Sequence, residues 1–338
     1  MNKRFRRPLS ILLPGSLALI ATVLAAACGG GNSSTTATTQ PTVASTAASS
    51  PTTASARTTY PVTVTDMAGK QVTIKAKPTT IVAVSPTAAE MVYAAGGTIV
   101  GRSTTVIYPD AAKTATDIGS AYTPAADKIL ALKPDLVVAD SVIILGMPDV
   151  AKTLNGLGVP VVYVGAQSYA DVLTGLDLMG KVLDGADKTA AVKAGIDQAK
   201  NDAKAALAGK NLVFVALTAD EKSQLYAAKD TSYVGDIMKQ LGINNPAATL
   251  PDTPPYPGYS LVATDKLLQM NPDFILAITP DPHMPSLAGL IPQIPPLAGM
   301  KAVTGKHVVD ADMNVFLQAP GPRIVDAFKA ITAAVNGK

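Results

Sequence analysis

Two stretches of this chain decide its fold: DKILALKPDLVVA at 127–139 and DKLLQMNPDFILA at 265–277. Six of the thirteen aligned positions are identical, and most of the others keep their character. In each copy an Asp-Lys pair opens a short helical run. Pro134 or Pro272 then stops it, because proline lacks an N–H and disfavours α backbone at the residue before it. Asp135 or Asp273 favours a turn, and a run of apolar residues follows. One helix–turn–strand corner used twice, 138 residues apart, predicts two similar lobes of about 120 residues each.

Working outward, short runs rich in Val and Ile recur between helix-like stretches. They are IVAVS (81–85), IVGRS (99–103), LVVAD (136–140), VPVVYVG (159–165), LVFVALT (212–218), FILAIT (274–279) and HVVDA (307–311). Strands that are apolar on both faces and alternate with helices predict α/β layering around a buried, largely parallel sheet. Between the copies lies ADKTAAVKAGIDQAKNDAKAALAGK (186–210). Val192, Ile196, Ala199, Ala203 and Leu207 recur at spacings of three and four, one apolar stripe on a helix. Alanine and lysine dominate the rest, so helix propensity is high. Such a helix is a rod of roughly 30 Å. The expectation is an N-terminal lobe over 60–185, a bridging helix over 186–209 and a C-terminal lobe over 210–338. A cleft between the lobes is the expected place for a small ligand.

The chain begins MNKRFRRPLS, with Lys3, Arg4, Arg6 and Arg7 and no acid, followed by the uncharged apolar run ILLPGSLALIATVLAAA. That order describes a secretory signal peptide over 1–27. Pro14 and Gly15 interrupt the run, which makes a retained membrane-spanning anchor the weaker reading. The sole cysteine, Cys28, follows directly and abuts Gly29-Gly30-Gly31. It has no cysteine partner and no folded electropositive niche, so neither a disulfide nor a catalytic thiolate is expected. Residues 29–59 are Gly, Ser, Thr, Ala and Pro except for Asn32, Gln40, Val43 and Arg57. A segment of that composition cannot bury enough apolar surface to order itself. Residues 28–59 therefore read as a tether with a span of roughly 30 Å. The whole chain is formally +3, and losing the four positive charges of the signal leaves −1. Nothing in that balance suggests nucleic-acid binding.

Enzyme signatures are missing. There is no G-x-S-x-G elbow, no Walker loop, and no G-x-G-x-x-G after a strand. His283 with Asp281 and a nearby Ser makes at most a triad fragment, so a hydrolase is the least favoured alternative and no enzyme is expected. Two histidines, His283 and His307, are too few for a bare-metal cage, and His307 is expected to be structural.

Several of these stretches together resemble a known family. LAAAC (24–28) resembles the lipobox of bacterial lipoproteins, which implies a lipidated Cys28. TTIVAVSPTAAEMVYAAGG, IVGRSTTVIYP, DIGSAYTPAADKILALKPDLVVAD and HVVDADMNVFLQAPGPRIVDAF, in this order from about Val62 to the end, resemble the solute-binding proteins of ABC importers for ferric siderophores, haem and cobalamin. The resemblance implies two Rossmann-like lobes joined by a single long helix, with the ligand cleft between them. It implies an exported monomer, lipid-anchored at the outer face of the cytoplasmic membrane. That monomer would deliver a metal-containing complex to a permease dimer driven by a cytoplasmic ATPase, with no resident cofactor. A non-transport surface or sensory lipoprotein of the same fold is the alternative. In the family each lobe carries a carboxylate, usually Glu, at the start of the repeated helix, and the pair meets arginines of the permease. Asp127 and Asp265 stand at those positions. An acid in a first helical turn also complements the helix dipole by itself, worth about 0.3–1 kcal/mol.

The ligand is less legible. After signal removal only Arg57, Arg102 and Arg323 remain, few for a polyanionic catecholate or citrate complex. The loops expected at the cleft offer Ser85, Thr87, Thr105, Tyr122 and Ser141 from the first lobe. The second offers Tyr226, Tyr256, Tyr259, His283, Met284 and Phe316. Tyrosine has an apolar face and a hydroxyl, suited to a large, partly apolar complex. Tyr122, Tyr259, His283 or Met284 could ligate haem iron. Some haem binders of the family carry Tyr after the glycine matching Gly119, where this chain has Ser120.

Overall fold

Each copy of the repeated corner builds the same structure. In the computed structural model, which describes residues 57–337, the short helices are Ala126–Ala131 and Thr264–Met270. Shortly after each, a residue turns left-handed: Lys133 at φ 50° and Asn271 at φ 40°. The proline that follows forbids another helical turn. The aspartate after it then caps the neighbouring strand. Asp135 accepts the N–H groups of Thr79 and Thr80 at 2.8 and 3.0 Å. Asp273 accepts the N–H of Val213 at 2.8 Å. The two strands so joined run parallel, with Ile81 opposite Leu136 in one lobe and Phe214 opposite Phe274 in the other.

The expected signal peptide, Cys28 and most of the tether lie outside the described residues. At the start of the described part, the Thr58 N–H donates to Asp184 Oδ1 at 2.7 Å and its hydroxyl to the Lys181 carbonyl at 3.0 Å.

The first sheet has the order Thr116–Asp117, Gly101–Arg102, Ile81–Ala83, Leu136–Asp140, Val161–Val164, and every pair is parallel. The second has the order Tyr259–Leu261, Leu225–Ala228, Phe214–Ala219, Phe274–Ile278, Val308–Ala311. Its first two pairs are antiparallel and its last two parallel. The expectation of a largely parallel sheet thus describes the first lobe and half of the second. A tight turn at 220–224 sends the chain straight back as a hairpin where a helical crossover would have kept it parallel. A further hairpin, Val62–Thr65 with Gln71–Ile74, precedes the first sheet.

Alternate residues of the central strands enter different layers, as the two-residue period of a strand requires. In the first lobe Val82, Val137 and Val161 pack on one side, while Ile81, Leu136 and Val162 pack on the other. In the second lobe Val215 and Ile275 face one way, and Phe214 and Phe274 the other. The layer holding Ile81 and Leu136 is continuous with the one holding Phe214 and Phe274. One apolar core therefore runs through both lobes, and each fully buried aliphatic or aromatic side chain in it contributes about 1.5–3 kcal/mol.

The chain passes from the first sheet to the second through helices Tyr169–Val182 and Ala186–Leu207. The second of these has Thr189, Ile196, Ala203 and Leu207 buried, and Val192 and Ala199 pack against the shared core. That is the stripe expected from the sequence. The joint between the two helices is Gly185, where a Cβ would stand 2.0 Å from the Ala95 carbonyl. Only glycine lets the backbones approach so closely. The C-terminal helix Ile324–Val335 lies along Ala186–Leu207.

His307 is structural, as expected. Its ring stacks on Phe274 at 4.3 Å between centroids, Phe274 stacks on Phe214 at 4.7 Å, and Nδ1 lies 3.1 Å from the Asp273 carbonyl oxygen.

Candidate functional site

In an open α/β sheet, ligands bind beyond the carboxyl ends of the strands, at the point where strand order reverses. Each sheet here has one such point. In the first, the chain leaves the central strand Ile81–Ala83 toward one edge and returns on its other side at Leu136–Asp140. In the second, it leaves Phe214–Ala219 toward one edge and returns on its other side at Phe274–Ile278. Pro86 and Asp140 follow or end the first pair of strands, and Asp220 and Pro280 follow the second pair. All four line one cavity of about 810 Å³. Its floor includes Leu317, Gln318 and Pro320. A smaller chamber of about 290 Å³, with Leu225, Leu287, Leu290 and Ile294 in its walls, adjoins it across Pro280 and Met284.

Six of the residues singled out in the sequence meet in the large cavity: Thr105, Tyr122, Tyr226, Tyr256, Tyr259 and Met284. The other five lie elsewhere. Ser85 is buried and caps the helix Pro86–Ala94 by accepting the Ala88 N–H at 3.1 Å. Thr87, Ser141 and Phe316 are buried. His283 is exposed, and its backbone N–H donates to Asp281 Oδ1 at 2.8 Å, a local turn contact. Asp127 and Asp265 are both exposed, each in the first turn of its helix.

The tyrosines form the wall. Tyr226 and Tyr256 meet edge to face with centroids 5.1 Å apart. The Tyr226 hydroxyl donates to Asp220 Oδ2 at 3.3 Å. Desolvation pushes the Tyr226 phenol up, and the Asp220 carboxylate adds to the shift. Desolvation alone pushes Tyr259 up to about 12. At neutral pH Tyr259 therefore presents a hydroxyl donor and not a phenolate.

The reading of the sequence missed the carboxylates. Asp140 ends a buried strand and caps the helix Ser141–Gly146, accepting N–H bonds from Val142 and Ile143 at 2.7 and 3.3 Å. Burial pushes its carboxyl up, against the opposing pull of those N–H groups. Asp220 holds the hairpin turn by accepting the N–H groups of Lys222 and Gln224, both at 2.9 Å. With Glu221 and Asp281 these make four carboxylates in the cavity, and Lys222 is the only cation among the lining residues. The charged run ADEKSQ after a buried strand was the available signal, since polar residues there must surface at the sheet's carboxyl edge. Among the described residues no group of three or more His, Cys, Asp and Glu could hold a metal ion.

Beneath the floor, Arg323 binds two parts of the chain together. Its guanidinium pairs with Glu90 at 2.8 Å, donates to the Asn314 carbonyl at 3.2 Å, and lies 4.5 Å from the Tyr108 ring centroid. Glu90, on Pro86–Ala94, is almost wholly buried. Burial pushes its carboxyl up to about 7, and the Arg323 charge offsets that only in part.

Residues 81–315 match the periplasmic binding protein family, and the chain belongs to it. The match begins at the first strand of the first sheet and ends beneath the cleft floor. A curated relative from Bacillus subtilis (strain 168), named the uncharacterized ABC transporter substrate-binding lipoprotein YvrC, is 25% identical over 285 residues, covering 82% of this chain and 86% of that protein. Among solved structures, Staphylococcus aureus SirA complexed with staphyloferrin B aligns at TM-score 0.66 and 20% identity, over 81% of this chain and 98% of that one. A periplasmic haem-binding protein from Pseudomonas aeruginosa aligns at TM-score 0.64 and 25% identity, over 76% and 92%.

Proposed function

We propose that the chain is the substrate-binding lipoprotein of an ABC importer. It holds a metal-containing complex, a ferric siderophore, haem or cobalamin, in the cleft and hands it to a membrane permease. The cleft carries this reading. Its volume of about 810 Å³ lies within the range of about 300–1,000 Å³ typical of small-ligand sites, and it stands at the switch points of two sheets. Its tyrosine wall offers apolar faces and hydroxyl donors to a large ligand. The names of the relatives point the same way: one is an ABC transporter substrate-binding lipoprotein, one a periplasmic haem-binding protein, and one was solved in complex with staphyloferrin B.

The organisation proposed is a cleaved signal over 1–27, a lipidated Cys28, a tether to 59, and a monomeric body of two lobes bridged over 186–209. Acyl chains supply affinity for the outer face of the membrane at about 0.8 kcal/mol per buried CH₂. Asp127 and Asp265 suit a bipartite dock: both are exposed, and they occupy equivalent positions in the repeated corner. Their partners are basic residues on the two halves of a permease dimer coupled to its ATPase.

Native mass spectrometry of the chain lacking its first 27 residues, against ferric hydroxamate, catecholate and citrate complexes, haem and cobalamin, tests the reading. One species retained at one-to-one stoichiometry supports it. Retention of none overturns it. The absence of Trp makes mass a better readout than fluorescence quenching.

A further inference from the structure

The charge and wall chemistry of the cleft narrow the cargo, on the premise that the chain is an importer's binding component. We infer that the cargo is a metal complex of positive net charge, whose cationic arm meets Glu221 and Asp281 and the tyrosine wall. Two independent features carry this.

The first is the balance of charge. Asp140, Asp220, Glu221 and Asp281 line the cavity against one cation, Lys222, and the lining contains no arginine and no histidine. The four acids are not alike. Asp140 is engaged by the N–H groups of Val142 and Ile143, and Asp220 by those of Lys222 and Gln224. Both are committed to holding the backbone. Glu221 and Asp281 are exposed, one on the hairpin turn and the other beyond the strand Phe274–Ile278, and Asp281 accepts a backbone N–H, that of His283, through Oδ1 alone. They stand on neighbouring strands' carboxyl ends, where a ligand's ammonium or guanidinium could meet both. A polyanionic complex would need convergent guanidinium groups in their place.

The second is the aromatic wall. Tyr226 and Tyr256, set edge to face, line the cavity together with Tyr259 and Tyr122. Ring faces attract cations and repel anions through the aromatic quadrupole. Carboxylates beside aromatic faces are complementary to an organic cation. The metal arrives in a chelator of its own, since among the described residues no group of three or more His, Cys, Asp and Glu could hold a bare ion. The adjoining apolar chamber suits methylene spacers of such a chelate.

The test isolates charge at constant shape. Ferric desferrioxamine B, a singly cationic trihydroxamate, is compared by native mass spectrometry and calorimetry with its N-acetylated neutral form, with ferric enterobactin, a triply anionic catecholate, and with haemin and cyanocobalamin. The expected result is that the cationic complex binds about ten-fold tighter than its acetylated form. That preference should shrink as salt is raised, and shrink again in the Glu221→Gln/Asp281→Asn double variant. Both substitutions fall on exposed side chains, and an unchanged thermal melt would show that the fold is kept. Equal affinity for the cationic and acetylated complexes would overturn the inference, as would tighter binding of enterobactin, haemin or cobalamin, while leaving the importer reading in place. Retention of none of the five would overturn the inference, and the importer reading would fall with it only if the ferric citrate complexes were not retained either.

Discussion

Removing Arg323 should leave a buried charge without its partner. Glu90 keeps only 2% of its side chain exposed and Arg323 only 14%, and their charged atoms stand 2.8 Å apart. The second Glu90 oxygen is buried with no hydrogen-bond partner. Arg323→Met leaves the carboxylate buried without a counter-charge, a loss of about 3–5 kcal/mol for a pair of this kind. The loss should depend on pH, and the sign is fixed by Glu90. Burial raises its carboxyl from the usual 4.5 to about 7. The folded chain therefore holds this proton more tightly than the unfolded one. The stability it contributes is complete below pH 4.5 and is lost as pH rises through about 7. At about 1.4 kcal/mol per unit, the interval amounts to about 3 kcal/mol. Urea unfolding followed by circular dichroism, repeated from about pH 4.5 to about pH 8, reads both effects. Wild-type stability should carry this falling component, and Glu90→Gln should flatten it. The Arg323→Met penalty should be large near pH 8 and shrink near pH 4.5, where Glu90 is neutral. A penalty that is the same at both ends, or a slope unchanged in Glu90→Gln, would refute the assignment.

Reversing both docking charges, Asp127→Lys with Asp265→Lys, should abolish uptake in cells while calorimetry finds ligand affinity unchanged; loss of affinity would defeat the docking role. Asp273→Ala should cost about 1–3 kcal/mol in urea unfolding, because the Val213 N–H loses its acceptor. Asp135→Ala should cost less, since Asp135 is exposed where Asp273 is not, so the reverse order would contradict the account of the corner. Cys28→Ala should release the protein from the membrane fraction and end its labelling by fatty acid; continued labelling would sink the lipid anchor.

What could be read from the sequence is what local chemistry controls. The corner at 127–139 and 265–277 was legible because a proline, an aspartate and an apolar run force the same backbone wherever they occur. Strands at 81, 136, 161, 214 and 274 were legible because both of their faces are buried, leaving unbroken apolar runs. The stripe from Val192 to Leu207 marked its helix by period alone. Elements with one wet face escaped that search. VTVT and QVTI alternate exposed and buried residues, and no continuous run marks them. LYAA at 225–228 has weak strand propensity and becomes a strand because Phe214–Ala219 and Tyr259–Leu261 bond it from both sides.

The cleft divides along the same line. Its tyrosines could be guessed as loop residues with useful chemistry, and six of the residues singled out do meet there. Ser85, Thr87 and Phe316 had the same local look, yet their side chains are turned into the cap or core by the docking of Pro86–Ala94 and the segment after Val308–Ala311. Asp140 and Asp220 lie 80 positions apart, and Glu90 and Arg323 lie 233 apart. No periodicity spans such distances. The sequence alone determined the twice-used corner, the strands buried on both faces and the striped helix, since those depend on neighbours along the chain. Only the tertiary structure decided which carboxylates share a cavity and which is buried against an arginine, because that follows from how two sheets are set on one continuous core.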